Sequence, residues 1–292
     1  MKILLFGIAK SGTTALFYKI KNSLPPDTIC LHEPRSFDAA TVDAAKAMRP
    51  RLARWFGRRE PSVLAKILPF QKWVPVDFSS FSSFEKQVMI VRDPRDRLIS
   101  YLLFSRVWRS SLCHLEGELS TFLELLRRKE ATPRSVTVRH IIAALDRLNV
   151  PGDSAGPAGY QHTFIREPLD FHAEHGGVFL YKYEDMIDGK FAALEEYLGL
   201  KLGGPALAEP ALNRVARTCG YGGWRDWFTP EDVDFFRTVM QPFLDRYYPD
   251  ADWELNARPS IPPEHASAYV ERTVNGKRAA EGLPALNLLQ PQ

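Results

Sequence analysis

Residues 1–14, MKILLFGIAKSGTT, constrain the fold most strongly, because an apolar run breaks there into a loop carrying two glycines and a lysine. Ile3, Leu4, Leu5 and Phe6 make a short continuous apolar segment closed by Gly7, the pattern of a strand buried on both faces of a parallel sheet. Residues 15–20 read as a helix, so the loop stands at a strand-to-helix junction. Backbone N–H groups and the positive end of the helix dipole converge on one point at such a junction and attract an anion. The loop is not the nucleoside-triphosphate pattern G-x-x-x-x-G-K-[ST]. Gly7 and Gly12 keep its interval, but Thr13 stands in the lysine position and the lysine, Lys10, comes earlier. The loop reads as a phosphate cradle, with an ordinary glycine turn as the plainer alternative.

A second segment points to the same crevice. Residues 86–93, KQVMIVRD, form another apolar strand, and Pro94 follows at once. Proline suits the first turn of a helix and Asp93 suits the cap before it. Leu98, Ile99, Leu102 and Leu103 continue at helical spacing. Arg92 then sits at the carboxyl end of its strand, where open α/β sheets bind ligands, and Ser100 lies in the second turn of the following helix. Arginine offers a planar fork to phosphate and serine an extra donor. A surface salt bridge from Arg92 to Asp93 or Asp96 is the alternative.

Taken together these segments resemble the sulfotransferases that use 3′-phosphoadenosine 5′-phosphosulfate (PAPS). The family's 5′-phosphosulfate loop, K-S-G-T-T or a close variant, matches Lys10, Ser11, Gly12, Thr13 and Thr14. Its 3′-phosphate motif, an arginine opening R-[DN]-P with a serine eight positions later, matches Arg92 and Ser100. YKYEDM at 181–186 resembles the family's strand ending in Y-E-D, followed by a helix closing on L-G at 191–200. GGWRDWFTPED at 222–232 is similar to its late G-x-W-x-x-x-F-T segment. Four segments in the right order span about residues 1–250. The resemblance implies a three-layer α/β/α fold with a central parallel sheet, P-loop-like, and sulfuryl transfer from PAPS without a metal, leaving adenosine 3′,5′-bisphosphate.

The resemblance also distributes roles. Lys10 would hold the bridging oxygen of the leaving phosphate, and residues 11–14 would donate to the 5′-phosphate. In the phenol and steroid branch the base is the histidine of K-T-H-x-P, but the matching stretch here, Ala65-Lys66-Ile67-Leu68-Pro69, keeps only the lysine. In glycan-modifying branches the base is a glutamate just after the second strand, in K-E-x-x-F-D. Residues 32–38, HEPRSFD, resemble that setting with His32 in the lysine position. Glu33 is therefore the expected general base. Pro34 should hold it extended, and partial desolvation should raise its pKa. His32 is the reserve, more readily an orienting group. Lys66 is a candidate for the sulfuryl oxygens. The family's adenine-stacking aromatic after T-T is Ala15 here, so the platform must come from elsewhere: Tyr183 matches an adenine contact and Trp224 or Trp227 could stack, each of the three reading also as partly core. Arg217 aligns loosely with a late 3′-phosphate residue.

Composition sets outer limits. With 292 residues, 45% of them hydrophobic, the chain can fill one large α/β domain, expected over residues 1–253, with residues 254–292 as an extension that packs as an arm, makes a homodimer contact or frays. No apolar run approaches the ~20 residues that span a bilayer, and Lys10 interrupts the first one, so neither a transmembrane segment nor a secretory signal is expected. Cys30, Cys113 and Cys219 are odd in number and lack metal spacing, which reads as reduced thiols in a cytoplasm. A net charge of +3 gives no case for nucleic acid. The arginines at 49, 51, 54, 58 and 59 read as a solvated helix face before an anion site, and His162, His172 and His175 as non-metal.

Strands are expected at 2–7, 28–32, 62–68, 86–92 and 177–183. Helices are expected at 13–23, 38–57, 94–108, 118–130, 134–149, 186–199, 230–247 and near 264–281, with a loop at 150–159. The expected partners are PAPS and a hydroxyl-bearing acceptor: a glycan, which the Glu33 segment favours, a glycolipid or a small metabolite. A nucleotide-dependent kinase and a nucleotide-binding scaffold without catalysis are the competing readings. The position of Lys10, the lack of an obvious Walker B acid and the Arg92/Ser100 pair oppose the first, and Glu33 opposes the second.

Overall fold

Five parallel strands, β1 (Lys2–Gly7), β2 (Ile29–His32), β3 (Val63–Ile67), β4 (Lys86–Val91) and β5 (Phe179–Lys182), form one sheet in the order β2-β3-β1-β4-β5. The structure is a computed structural model that describes residues 1–38, 40, 43, 62–70, 75–148, 162–206 and 217–286. Most of the expected helix at 38–57, the arginines at 49, 51, 54, 58 and 59, and the loop at 150–159 fall outside the described residues. The chain divides into two compact units, Met1–Arg92 with Arg166–Ala208, and Asp93–Ile165 with Glu209–Gln292.

The sheet belongs to the first unit. Its central strands are apolar almost throughout, since β1 and β3 are shielded from solvent along nearly their whole length. Parallel register pairs Leu5 with Lys66 and His32 with Lys66, so these side chains share one face. Lys66 reaches Thr14 at the start of α1 (Thr13–Lys21), which places that helix on the same face. Phe6 points the other way and packs on Phe81 and on Phe171 of a helix at Glu167–Glu174 that periodicity did not reveal. Helical structure thus covers both faces. The chain leaves β1 toward the β2 edge, whereas β3 to β4 crosses β1 in the opposite direction. The reversal makes a topological switch point between β1 and β4.

Several expected boundaries shift: the helix expected at 134–149 runs Val138–Asp146, and β5 begins at Phe179. Tyr183 begins a helical turn, Tyr183–Ile187, instead of ending β5. The helix expected at 186–199 is interrupted by Gly189 at φ +72° and restarts as Ala192–Leu198, because a left-handed glycine ends one turn before the next can begin.

In the second unit Asp93 caps the helix Pro94–Ser100, accepting from Arg95 N at 2.9 Å, with Pro94 in the first turn as the sequence required. The helix continues through a π-helical stretch, Tyr101–Arg106. Thr229 and Asp232 form a capping box at Pro230–Tyr247, and Asp232 also accepts from Val138 N at 2.8 Å, fixing the start of Val138–Asp146. The helix Ser267–Ala280 buries Tyr269, Val270 and Val274, so residues beyond 253 contribute to this core. Among the described residues, no helix is long and apolar enough to cross a membrane.

Two measurements probe this framework. A Cβ at Gly7 would lie 2.5 Å from the Ile90 carbonyl oxygen, so Gly7→Ala must part β1 from β4 and should destabilise by about 1–3 kcal/mol, read as a lowered Tm. Lys129 is buried and donates to the carbonyls of Pro133 and Val136, and burial pulls its ammonium down to about 8. From about pH 8 to about 10.5 the unfolded chain holds a proton there that the folded chain lacks, so stability should rise with pH across that window. Urea unfolding should show the rise in the parent and its loss in Lys129→Met.

Candidate functional site

The loop between β1 and α1 is shaped by two left-handed residues, Lys10 at φ +71° and Gly12 at φ +86°. Ser11 N donates to Ile8 O at 3.2 Å, closing the turn, and Leu16 N donates to Gly12 O at 3.0 Å, starting the helix. No side chain caps α1 and its first turn holds no acidic residue, so its opening N–H groups retain their positive field. Only glycine fits at position 12: beyond the φ, a Cβ would lie 2.4 Å from Tyr183 Cδ2. Ser11 is 0% exposed, and its hydroxyl has no hydrogen-bond partner among the described residues. A buried hydroxyl without a partner costs about 1–3 kcal/mol, which an anionic oxygen in the loop would recover. The donors present therefore fit a phosphate group.

Lys66 joins this loop to the β2 segment. It is 1% exposed, and its ammonium donates to Thr14 Oγ1 at 2.9 Å, forms a short ion pair with Glu33 Oε1 and lies 3.5 Å from His32 Nε2. Register explains the meeting, since His32 and Lys66 are paired on adjacent strands and point to one side. Burial pulls the Lys66 ammonium below the ordinary lysine range, and the Glu33 charge pushes back.

Glu33 departs from both expectations about it. It is left-handed, φ +49°, where Pro34 suggested an extended residue. Its N–H continues the ladder by donating to Lys66 O at 2.9 Å, and the chain must then turn sharply away. Its side chain is 42% exposed, so an ion pair with Lys66 holds it in place of desolvation. Among the described residues only Lys10, Glu33 and Cys219 combine a side chain with positive φ. Such strain collects at functional sites, and two of the three positions are the residues marked for chemistry.

Arg92 closes the other flank. Its Nη1 donates to Lys10 O at 3.2 Å, and its guanidinium lies over the Tyr183 ring at 4.2 Å. Tyr183 is buried between Arg92 and Gly12, which makes it a wall of the loop. Thr13 is buried at the start of α1. The first unit thus brings together Lys10, Ser11, Gly12, Thr13, Thr14, His32, Glu33, Lys66, Arg92 and Tyr183.

Ser100 and Arg217 belong to the second unit. Ser100 is buried at the end of its helix, and Arg217 donates to His265 O at 3.2 Å. Trp224, a candidate for stacking on adenine, is instead 1% exposed in that unit's core, with Arg95 over its ring at 3.9 Å, and Trp227 is buried too. The sequence reading passed over Phe17, whose ring meets His32 edge-on at 5.0 Å. Its place on the buried face of α1, one turn after Thr14, was the available signal.

No family model matches the chain, and no curated protein matches it. Solved structures similar to it include mouse sulfotransferase SULT7A1 complexed with PAP, at 16% identity and TM-score 0.46 over 83% of this chain and 84% of that one. Another is retinol dehydratase in complex with androsterone and inactive cofactor PAP, at 15% identity and TM-score 0.40 over 86% and 82%.

Ser11→Ala separates a ligand donor from a structural one. Removing a hydroxyl with no protein partner should leave Tm unchanged or raise it, while weakening binding of a phosphate-bearing nucleotide about tenfold in calorimetric titration.

Proposed function

We propose that this chain is a PAPS-dependent sulfotransferase that moves a sulfuryl group to a hydroxyl of a carbohydrate, glycolipid or small metabolite. The observation that carries the reading is the contact set of Lys66, one buried ammonium touching both the anion loop through Thr14 and a carboxylate through Glu33. Sulfuryl transfer needs those two things side by side: a cradle for the donor's phosphate and a proton acceptor facing the incoming hydroxyl.

In this mechanism residues 11–14 hold the 5′-phosphate with backbone and hydroxyl donors, and Lys10 meets charge growing on the bridging oxygen. The acceptor oxygen attacks sulfur in line. Its proton passes to the Glu33 carboxylate, the new S–O bond forms and the bond to the 5′-phosphate oxygen breaks, releasing adenosine 3′,5′-bisphosphate. The transferred group carries less charge than a γ-phosphoryl, so lysine suffices where phosphoryl transfer uses metal ions. Lys66 steers Glu33 and neutralises charge near the sulfuryl oxygens, while His32 orients the pair. Arg92 takes the 3′-phosphate. Tyr183 acts through Arg92 and Gly12. The segment around Glu33 favours a glycan acceptor, and three free cysteines suit a reducing cytoplasm.

Calorimetric titration with adenosine 3′,5′-bisphosphate in EDTA, with ADP and AMP as controls, tests the reading. Metal-free binding that needs the 3′-phosphate and falls at least about tenfold in Arg92→Ala is expected. Glu33→Gln should keep that affinity and abolish transfer from PAPS. ADP binding that equals it, or appears only with Mg2+, would overturn the proposal in favour of a kinase. Transfer that survives in Glu33→Gln would remove Glu33 as the base.

A further inference from the structure

A second cluster of chemistry-bearing side chains lies within the second unit, at the C-terminal end of the helix Ser267–Ala280. Cys113, His114 and Glu281 each offer one ligand atom, and the three atoms lie within 4.8 Å of one another. Glu281 Oε2 is 3.1 Å from His114 Nε2 and 3.7 Å from Cys113 Sγ. With zinc bonds of about 2.3 Å to sulfur, about 2.0 Å to nitrogen and about 2.0 Å to oxygen, a tetrahedral site has an N–O edge of about 3.3 Å and an S–O edge of about 3.5 Å. The two measured separations fall on those edges to within a few tenths of an ångström. We propose that Cys113, His114 and Glu281 bind one zinc ion, with water in the fourth position, as a clasp between residues 110–114 and the C-terminal helix.

The ligands are held in place by neighbouring hydrogen bonds. Arg278 donates from Nη1 to Cys113 O at 2.6 Å and from Nε to Pro284 O at 2.6 Å, and Lys277 Nζ donates to Ser110 O at 2.9 Å. His114 N donates to Ser111 O at 2.8 Å. Glu281 caps the helix, its N–H shared between Lys277 O and Arg278 O, and Gly282 at φ +74° turns the chain away behind it. Lys277 Nζ lies 3.9 Å from Oε1 of Glu281, leaving Oε2 directed at the histidine and the thiol. Cys113 is buried while His114 and Glu281 are exposed, so an ion enters from solvent and keeps a water on its outer side.

The ligands' own charges suit a divalent cation, with the Lys277 ammonium 3.9 Å from Glu281 Oε1 as the opposing charge. A carboxylate at the carbonyl end of a helix stands against the dipole, and a bound cation reverses that. Binding replaces the Cys113 thiol proton, which leaves to solvent, so thiolate and carboxylate balance two positive charges and neutral imidazole completes a borderline-soft set suited to zinc. The residues involved are separate from those of the proposed sulfuryl-transfer site, and the inference does not rest on that reading.

The test uses the full chain, stripped with EDTA and kept reduced, titrated with Co2+ as a spectroscopic stand-in for zinc. A thiolate-to-cobalt charge-transfer band that saturates at one equivalent and is displaced by Zn2+ is expected. Zn2+ should also raise Tm. Cys113→Ser should remove the band, and His114→Gln and Glu281→Gln, at exposed positions that leave the fold intact, should each weaken binding by at least about tenfold. Cys30→Ser and Cys219→Ser should keep the band. No band in the folded protein, a band that survives Cys113→Ser, one indifferent to both His114→Gln and Glu281→Gln, or one lost in Cys219→Ser would overturn the proposal.

Discussion

Everything in the first unit's site depends on placing one ammonium where the sheet is driest. Lys66 lies in a strand with no solvent-facing residue, VLAKI, and a charge taken out of water there costs several kcal/mol unless it is paired and hydrogen-bonded. Its environment supplies Glu33, Thr14 and His32, one partner for each N–H of an ammonium. The demand works outward from there. β2 must pair with β3 in the register that sets His32 beside Lys66, and α1 must begin where Thr14 can accept. A slip of one residue in β2 would turn His32 to the other face and carry the Glu33 ladder bond off Lys66.

The same lysine accounts for backbone strain that would otherwise look wasteful. A non-glycine residue in the left-handed region costs on the order of 1–3 kcal/mol and persists only where its surroundings over-determine it. Glu33 is held on both sides, its N–H by Lys66 O and its carboxylate by Lys66 Nζ. Lys10 is held through its carbonyl, which Arg92 grips. Each strained residue is thus fastened by a cation from a neighbouring strand end, so the loop, the carboxylate and Arg92 form one mechanical unit.

What could be read from sequence was local. The Gly7 to Thr14 loop, the Asp93 cap with Pro94 behind it and the Thr229 start of the late helix each announce themselves within a few residues, because turn and cap chemistry is short-range. Strand positions were legible for the same reason, as apolar runs bounded by breakers. The directions of side chains were not. Glu33 looked extended because proline restrains the residue before it, but it is left-handed, φ +49°, where its carboxylate meets Lys66, a partner far along the chain. Its expected desolvation failed likewise, since burial falls on Lys66 and not on the carboxylate. Trp224 could be weighed for stacking or core only once Arg95 was seen to cover it. Cys113, His114 and Glu281 have no motif because the helix carrying Glu281 returns from the far end of the chain.

The early position of the loop lysine has a physical consequence. In the nucleoside-triphosphate pattern the lysine follows the second glycine and rides on the helix. Here the residue after Gly12 is Thr13, buried at the start of α1, and the lysine sits two positions before that glycine, in the turn itself. Its backbone carbonyl is the acceptor for Arg92, so a ligand that draws Arg92 toward one phosphate pulls on the turn that presents Lys10 to another. On the reading proposed above, the two ends of a bisphosphorylated nucleotide are sensed through one hydrogen bond. Discrimination against a nucleotide lacking the 3′-phosphate then follows from the loop geometry as well as from a lost contact.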